Sequence, residues 1–135
     1  MSVKIVNAVE VEVLTTLLTP EHTLRIYGND KTPADNDVAS NYTEISGGGY
    51  VNKPLVFANW TVAAGAPSSA VYTALTWIFS GIIDAPGTIY GYFITRNSDG
   101  KLLLAERFPA ANVPFSPVAG SKIMLLPSVS AESQF

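Results

Sequence analysis

Hydrophobic positions near the start of the chain follow a helical period. Five aliphatic residues share one broad arc of a helical wheel: Val6, Val9, Val13, Leu14 and Leu17. Valines 9, 11 and 13 taken alone alternate as in a strand. However, Asn7 is a residue type that caps helices, Glu10 follows three positions later, and Pro20 ends the pattern. The sequence therefore predicts a helix over residues 7–18.

From Thr23 onward, β-branched and aromatic residues alternate between clusters of turn-forming residues. This pattern predicts eight strands: 23–27, 42–45, 50–56, 60–63, 70–80, 88–96, 101–108 and 122–127. The strand predicted over 70–80 has apolar residues on both faces, as expected for a strand covered on two sides. Asp99-Gly100 predicts a hairpin turn between the sixth and seventh strands. We expect an all-β fold, an antiparallel β-sandwich of jelly-roll type with a short N-terminal helix.

The length of 135 residues is that of a single domain. We expect residues 1–22 to form an N-terminal arm and helix, and residues 23–135 to form one β-sandwich domain with a C-terminal tail. Asp30–Asn41, with Pro33 and three acids, is predicted to be an irregular loop. Three prolines in residues 109–120 likewise predict that this segment is not part of a central strand.

Charge is unusually sparse, with 47% hydrophobic and only 14% charged residues. A typical soluble domain has roughly 25% charged residues. No Asp, Glu, Lys or Arg occurs in 54–83 or in 108–121. Uncharged apolar surface is typical of interaction sites, so we expect another chain to cover part of this one, with a homodimer or a homotrimer as the expected oligomer. The predicted interface residues are Val9, Val13, Leu14, Leu17, Phe115, Val129 and Phe135. Residues 3–18 and 128–135 are predicted to contact other subunits.

Composition excludes several classes of chemistry. The absence of Cys excludes disulfides, thiol catalysis and Cys-ligated metals. The net charge of -3, without a basic cluster, argues against a nucleic-acid partner. The apolar stretch 70–83 is too short for a membrane span, and the first residues lack the pattern of a secretory signal. The single histidine, His22, is predicted to lie at the surface or to cap a helix.

Candidate catalytic and metal sites each have a structural alternative. Glu106 lies on an apolar strand face, where a carboxylate is either a general acid with a raised pKa or the partner of an arginine. We predict a structural ion pair with Arg25, with Arg96 as the other candidate. The acids of Asp35-Asn36-Asp37 and Asp30 resemble calcium ligands but lack the EF-hand pattern, which favours a solvated turn. Gly47-Gly48-Gly49 is predicted to be a bend rather than a phosphate loop. We predict no catalytic residue, no metal and no cofactor.

Aromatic residues offer another kind of site. Seven rings could stack on sugars or pack in a core or subunit interface: Tyr42, Tyr50, Trp60, Tyr72, Trp77, Tyr90 and Tyr92. We expect Trp60 and Trp77 to be packing anchors.

Several segments, in this order, carry a family resemblance: 24–30, Thr32-Pro33, 42–44, Gly49-Tyr50, Trp60, 89–93 and 103–108. Together they resemble small structural proteins of tailed bacteriophages over about residues 9–129. The Tyr-Gly-Tyr segment at 90–92 and the Ala-Glu-Arg-Phe segment at 105–108 are the most specific, and Leu104 departs from the aromatic residue expected there.

This resemblance implies a non-enzymatic decoration (cement) protein that is made in the host cytoplasm and then binds the major capsid protein on the virion surface. Two alternatives remain. One is a tail or head-fibre module that binds host glycans through tyrosines near Asp30–Asn41. The other is a small hydrolase or lyase built around Glu106.

Overall fold

The computed structural model describes residues 6–131 of the chain. Its one α-helix, α1, is Asn7–Leu18. The strands are β1 His22–Tyr27, β2 Lys53–Leu55, β3 Trp60–Ala63, β4 Ser68–Tyr72, β5 Leu75–Ile78, β6 Gly91–Arg96, β7 Leu102–Arg107, β8 Lys122–Leu125 and β9 Ser128–Ala131. The described chain is therefore mostly β with one short helix, as the hydrophobic pattern predicted.

The strands form three antiparallel sheets. One has the order β2-β1-β6-β7, the second β3-β4-β9, and the third pairs β5 with β8. A shared apolar core contains residues from all three, including Ile26 and Ile94 of the first sheet, Tyr72 of the second and Trp77 of the third. Burial of these side chains is the main force that holds the sheets together.

The single long strand predicted over 70–80 is wrong. It divides into β4 and β5, which lie in different sheets. In β4 the buried residues are Ser68, Ala70 and Tyr72, whereas Trp77 and Phe79 are buried farther on. The break at 73–74 thus moves burial from even to odd positions, because a strand presents alternate residues to one face. Two strands with one buried face each replace the strand that was expected to be covered on both sides.

Other strand boundaries also differ from the prediction. Residues 42–45 contribute only one isolated bridge, between Tyr27 and Glu44, and the strand expected over 50–56 shrinks to β2. In the predicted C-terminal contact segment, Ser128–Ala131 forms β9 and pairs with β4 of the same chain, and contact with another subunit stays a prediction. The expected contacts of residues 3–5 and 132–135 lie outside the described residues.

The hairpin between β6 and β7 forms as predicted, with Gly100 at a φ of 73°. The pairing shifts between Ile94 and Thr95, so that Ile94 lies opposite Leu104 but Thr95 lies opposite Leu102. The extra residue moves Leu102 away from the face of Leu104, because each one-residue shift exchanges the two faces of a strand. Leu102 instead packs beside Phe93.

Helix α1 packs on β3, β4 and β9 through Glu10, Leu14 and Leu18. The predicted cap is wrong: Asn7 is the first helical residue, and the N-cap position is Val6, which makes no side-chain cap. Ser68 donates a hydrogen bond of 2.9 Å to a carboxylate oxygen of Glu10, and both residues are buried. This bond fixes how the helix sits on the sheet.

The three consecutive glycines form the predicted bend. All three have φ between 62° and 80°, a region that side chains rarely adopt. A Cβ atom at Gly48 would also lie 2.7 Å from the carbonyl oxygen of Gly81. The bend brings in Tyr50, whose hydroxyl accepts a hydrogen bond from the backbone of Ile26 in β1.

Candidate interaction surfaces

The outer face of α1 carries four exposed aliphatic side chains, which we call the helix stripe: Val6, Val9, Val13 and Leu17. Their exposed fractions are 61%, 44%, 52% and 37%. The stripe borders a shallow cavity of about 480 Å³ that Pro20 and Arg96 also line. A helix usually turns its apolar face inward. In α1, however, most of the apolar residues from which the helix was predicted face the solvent.

The remaining predicted interface residues divide into three groups. Leu14 is only 1% exposed, so its assignment to an interface was wrong: it lies one-quarter turn from the stripe and packs into the protein. Phe115 and Val129 are half-buried and pack against the protein's own core. Phe115 also pairs with Ile89 through two backbone hydrogen bonds of 2.7 and 3.0 Å. Phe135 lies outside the described residues.

A deeper cavity of about 720 Å³ lies beside β8, and we call it the edge groove. Its walls are residues 122–126, most of the segment 108–116, and the side chains of Tyr92 and Glu106. Phe108, Phe115, Ile123 and Leu125 give it an apolar lining. Its polar side chains are Glu106, Asn112, Ser116 and Lys122. Cavities of this volume with a few polar groups are typical of binding sites.

The predicted ion pair between Glu106 and Arg25 is wrong. Arg25 lies opposite Phe93, which lies opposite Ala105, whereas Glu106 lies opposite Tyr92. Directly opposed residues share a face of a sheet, so Arg25 and Glu106 point to opposite faces. Arg96, the other candidate partner, binds Asp99.

Glu106 instead accepts a hydrogen bond of 2.8 Å from the hydroxyl of Tyr92. Burial and this bond raise the pKa of Tyr92, so the phenol stays protonated at neutral pH and remains a donor. Among residues 6–131, Glu106 has no cationic partner within 4.0 Å. Its exposed carboxylate is therefore available to a cationic group from outside the chain.

Arg25 binds Glu44, a residue that the sequence analysis did not single out. The guanidinium lies 2.8 Å from one carboxylate oxygen, and the other oxygen accepts bonds from Tyr50 at 2.6 Å and Asn52 at 3.1 Å. Burial and the bond to Glu44 raise the pKa of Tyr50. The network joins β1 to the bend, and no local spacing in the sequence indicates it.

The loop 30–41 is held by its acids. Asp37 accepts hydrogen bonds from the Tyr42 hydroxyl and the Ala34 backbone, and it pairs with Lys31 at 2.9 Å. The Tyr42 bond, followed by that of Lys31, lowers the pKa of Asp37 to about 2. Asp30 binds Arg107 of β7. These partners give Asp30 and Asp37 structural roles. The part of the chain that the structure describes contains no group of three or more side chains suited to a metal.

The same loop lies beside β7. A cavity lined by Pro33, Ala34 and Asp37 on one side meets four consecutive residues of β7, 102–105, on the other. Tyr42 stacks on Phe93 with ring centroids 5.3 Å apart and is only 5% exposed. Tyr27 is fully buried. The tyrosines expected to bind glycans here belong to the interior.

His22 is buried in β1, so its predicted position at the surface or at a helix cap was wrong. Its Nδ1 atom has no hydrogen-bond partner among the described residues. Burial lowers the pKa of His22, and the nearby charge of Arg96 lowers it further, against a backbone hydrogen bond at Pro20 that raises it. The imidazole is therefore neutral in the folded protein at neutral pH.

Trp60 and Trp77 are core residues, 6% and 4% exposed, as expected for packing anchors. The Trp77 indole donates to the backbone of Val51 at 2.8 Å.

Comparison of the chain with family models, curated proteins and solved structures finds no match. The helix of the described region is shorter and less apolar than a membrane-crossing helix would need to be.

Proposed function

We propose that this protein is a non-enzymatic structural component of a virion, a decoration protein that binds the capsid shell of a tailed bacteriophage. The observation that carries the proposal is the helix stripe. Four aliphatic side chains project from a helix whose adjacent, buried side is fixed to the sheet by a buried hydrogen bond. Exposed aliphatic residues on a firmly held element are suited to contact another protein.

The size of the stripe indicates how binding would work. Fully burying one Val or Leu side chain contributes about 1.5–3 kcal/mol, so covering four half-exposed ones yields roughly 3–6 kcal/mol. Association costs about 4–15 kcal/mol in lost freedom of movement. The stripe alone is therefore too small for a lasting one-to-one complex. Several attachment points per copy, or a homo-oligomer that presents several stripes to major capsid proteins, supply the remainder.

Glu106, the residue considered as a general acid, lies in the edge groove and not beside the stripe. Glu106 is exposed, and its carboxylate accepts a hydrogen bond from the Tyr92 hydroxyl, a contact that supports a structural role. A β-sandwich of jelly-roll type is part of the proposal, supported by three antiparallel sheets that share one core. Such a domain would present the stripe to the outer capsid surface.

The proposal is tested with phage shells that lack decoration protein, mixed with this protein and separated by sedimentation. Val13→Lys introduces a charge at the centre of the stripe and should abolish co-sedimentation. Ala8→Lys adds the same charge on the opposite flank of the exposed side of α1 and should leave binding intact. Light scattering of both variants measures self-association. Equal binding of the two variants to shells, or no binding of the unaltered protein, would reject the proposal.

A further inference from the structure

Strand β8 has one neighbouring strand and one open edge. Its partner is β5, and no strand within residues 6–131 pairs with its other side. Five consecutive residues, Lys122–Leu126, line the edge groove. Because consecutive side chains of a strand point to opposite faces, a cavity bordered by all five runs along the edge of the strand rather than against one face. The groove therefore faces the strand's backbone.

The pairing with β5 indicates which backbone groups face the groove. Phe79 donates its N–H to the carbonyl oxygen of Ser121 at 2.8 Å, so this opposed pair is of the hydrogen-bonded type. Hydrogen-bonded and non-hydrogen-bonded pairs alternate along two antiparallel strands. Ile123 and Leu125, opposite Trp77 and Leu75, therefore belong to hydrogen-bonded pairs, and their backbone groups bond to β5. The N–H and C=O groups of Lys122 and Met124 then point to the open edge.

Five other strands of residues 6–131 also end a sheet, so an unpaired side is not by itself unusual: β2, β3, β5, β7 and β9. Beside β7 a smaller cavity of about 350 Å³ lies between residues 102–105 and the loop 30–41, and its lining includes Asp35 and Asp37. Beside β8 the corresponding space is a cavity of about 720 Å³ with half-buried aromatic rings, Phe108 and Phe115, in its wall. An open edge next to an apolar cavity combines the two features used in strand addition: backbone hydrogen bonds for affinity and pockets for alternate side chains.

We infer that the edge groove binds an extended peptide segment of a partner protein, which adds to β8 as a further strand. The charges of the groove specify its chemistry. Glu106 and Lys122 both line the cavity, and neither has an ion-pair partner within the described chain. A fitting segment has apolar residues at alternate positions, a basic residue for Glu106 and an acidic residue for Lys122. This surface is separate from the helix stripe.

The test uses the full chain and two synthetic peptides, Ac-Lys-Val-Thr-Val-Thr-Val-Glu-NH2 and its reversed sequence, so that both strand directions are sampled. Amide exchange followed by NMR is the primary measurement and requires no variant. We expect saturable binding of at least one peptide, with slower exchange at the amides of Lys122 and Met124. The amides of Ile123 and Leu125, already paired with β5, should change little. A peptide with proline at positions 3 and 4 loses one N–H donor from each of the two alternating sets, whichever set faces β8, and should bind more weakly.

Met124→Pro removes an outward N–H without removing a bond to β5, a position where an edge strand tolerates proline. Met124→Ala is the matched control, because it truncates the same side chain and keeps the N–H. We expect the proline variant to bind roughly tenfold more weakly than the alanine variant, the effect of losing one or two hydrogen bonds. Circular dichroism verifies that both fold.

Three outcomes would overturn the inference. The first is the absence of saturable binding at about 1 mM peptide, a concentration that would detect even a weak complex. The second is equal affinity of the proline and alanine variants. The third is binding of maltotriose in the groove without slower exchange at the amides of Lys122 and Met124. The last result would assign the groove to glycans. Val13→Lys should leave peptide binding unchanged, so failure of this inference and failure of shell binding are distinguishable.

Discussion

Ser68 donates a hydrogen bond to Glu10 across the interface between β4 and α1, at 2.9 Å and out of contact with solvent. Ser68 is fully buried and Glu10 is 5% exposed. A buried carboxylate without a donor is costly, so this pair holds the helix in one orientation. The exposure of the helix stripe depends on it.

Ser68→Ala should lower the free energy of unfolding by about 1–3 kcal/mol, because it leaves the Glu10 carboxylate without this donor. Urea unfolding followed by tryptophan fluorescence measures the change. Ser69→Ala, at the adjacent position facing the other way, should change stability by less than about 0.5 kcal/mol. Equal effects of the two substitutions would mean that the buried bond contributes nothing specific.

Tyr50→Phe tests the network around Glu44. The variant keeps the ring but removes the hydroxyl that donates to Glu44 and accepts from Ile26. Loss of these bonds should destabilise the protein by about 1–3 kcal/mol, since the backbone N–H of Ile26 is left without a partner. Tyr90→Phe is the control: it keeps the ring that stacks with Arg107 and should be nearly neutral. A thermal melt that does not separate the two variants would contradict the role given to the Tyr50 hydroxyl.

His22 should make stability fall as the pH is lowered below about 6.5. The folded state has the lower histidine pKa, so the unfolded state takes up the proton first and is favoured as the pH falls through this range. Arg96 and Lys101 border the same cavity and add repulsion to a charged imidazole. For one proton, the free energy of unfolding can change by at most about 1.4 kcal/mol per pH unit. His22→Leu should remove this contribution between pH 7 and 5, as measured by urea unfolding, and an unchanged slope would exclude His22 as its source.

Asp37 should control the acid stability of the loop 30–41. Its pKa of about 2 in the folded protein lies below the ordinary value of about 3.9. The contribution of Asp37 is therefore complete above about pH 4 and is lost as the pH falls toward 2, because the unfolded state is protonated first. Amide exchange within the loop should accelerate in this range.

Asp37→Asn should accelerate exchange in the loop already at neutral pH and remove most of the additional acid effect. Asp99, whose pKa Arg96 likewise lowers to about 2, provides the comparison. Asp99→Asn should affect the hairpin between β6 and β7 and spare the loop. If both substitutions change exchange in the same residues, the acid response is not local to Asp37.

The sequence predicted features that depend on neighbours along the chain. The helix over residues 7–18, the β character that follows, the glycine bend and the hairpin at Asp99-Gly100 each arise from local propensity or turn chemistry, and the structure has all of them. The local pattern did not show which side of the helix would be buried. Val13 and Leu14 fell on the same predicted arc, yet one is 52% exposed and the other 1%.

The candidate sites were less predictable than the elements. Glu106 was identified from its apolar neighbours, but its partner Tyr92 depends on the register of β6 against β7. The partner of Arg25 is Glu44, because the face that Arg25 occupies follows from its pairing with β6. Nothing in the spacing of 122–126 shows that one edge of β8 is open, since an edge is defined by strands elsewhere in the chain.

The sequence by itself determined a mostly β chain with one helix and too few charges to cover its surface evenly, because composition and short-range periodicity act within a few residues. Only the tertiary structure decided which side of the helix faces solvent, where β4 ends and β5 begins, and that the open edge of β8 borders the edge groove. These outcomes depend on contacts between segments that are distant in the sequence. A strand register or a packed helix face, once formed, excludes other arrangements that the local sequence pattern would equally allow.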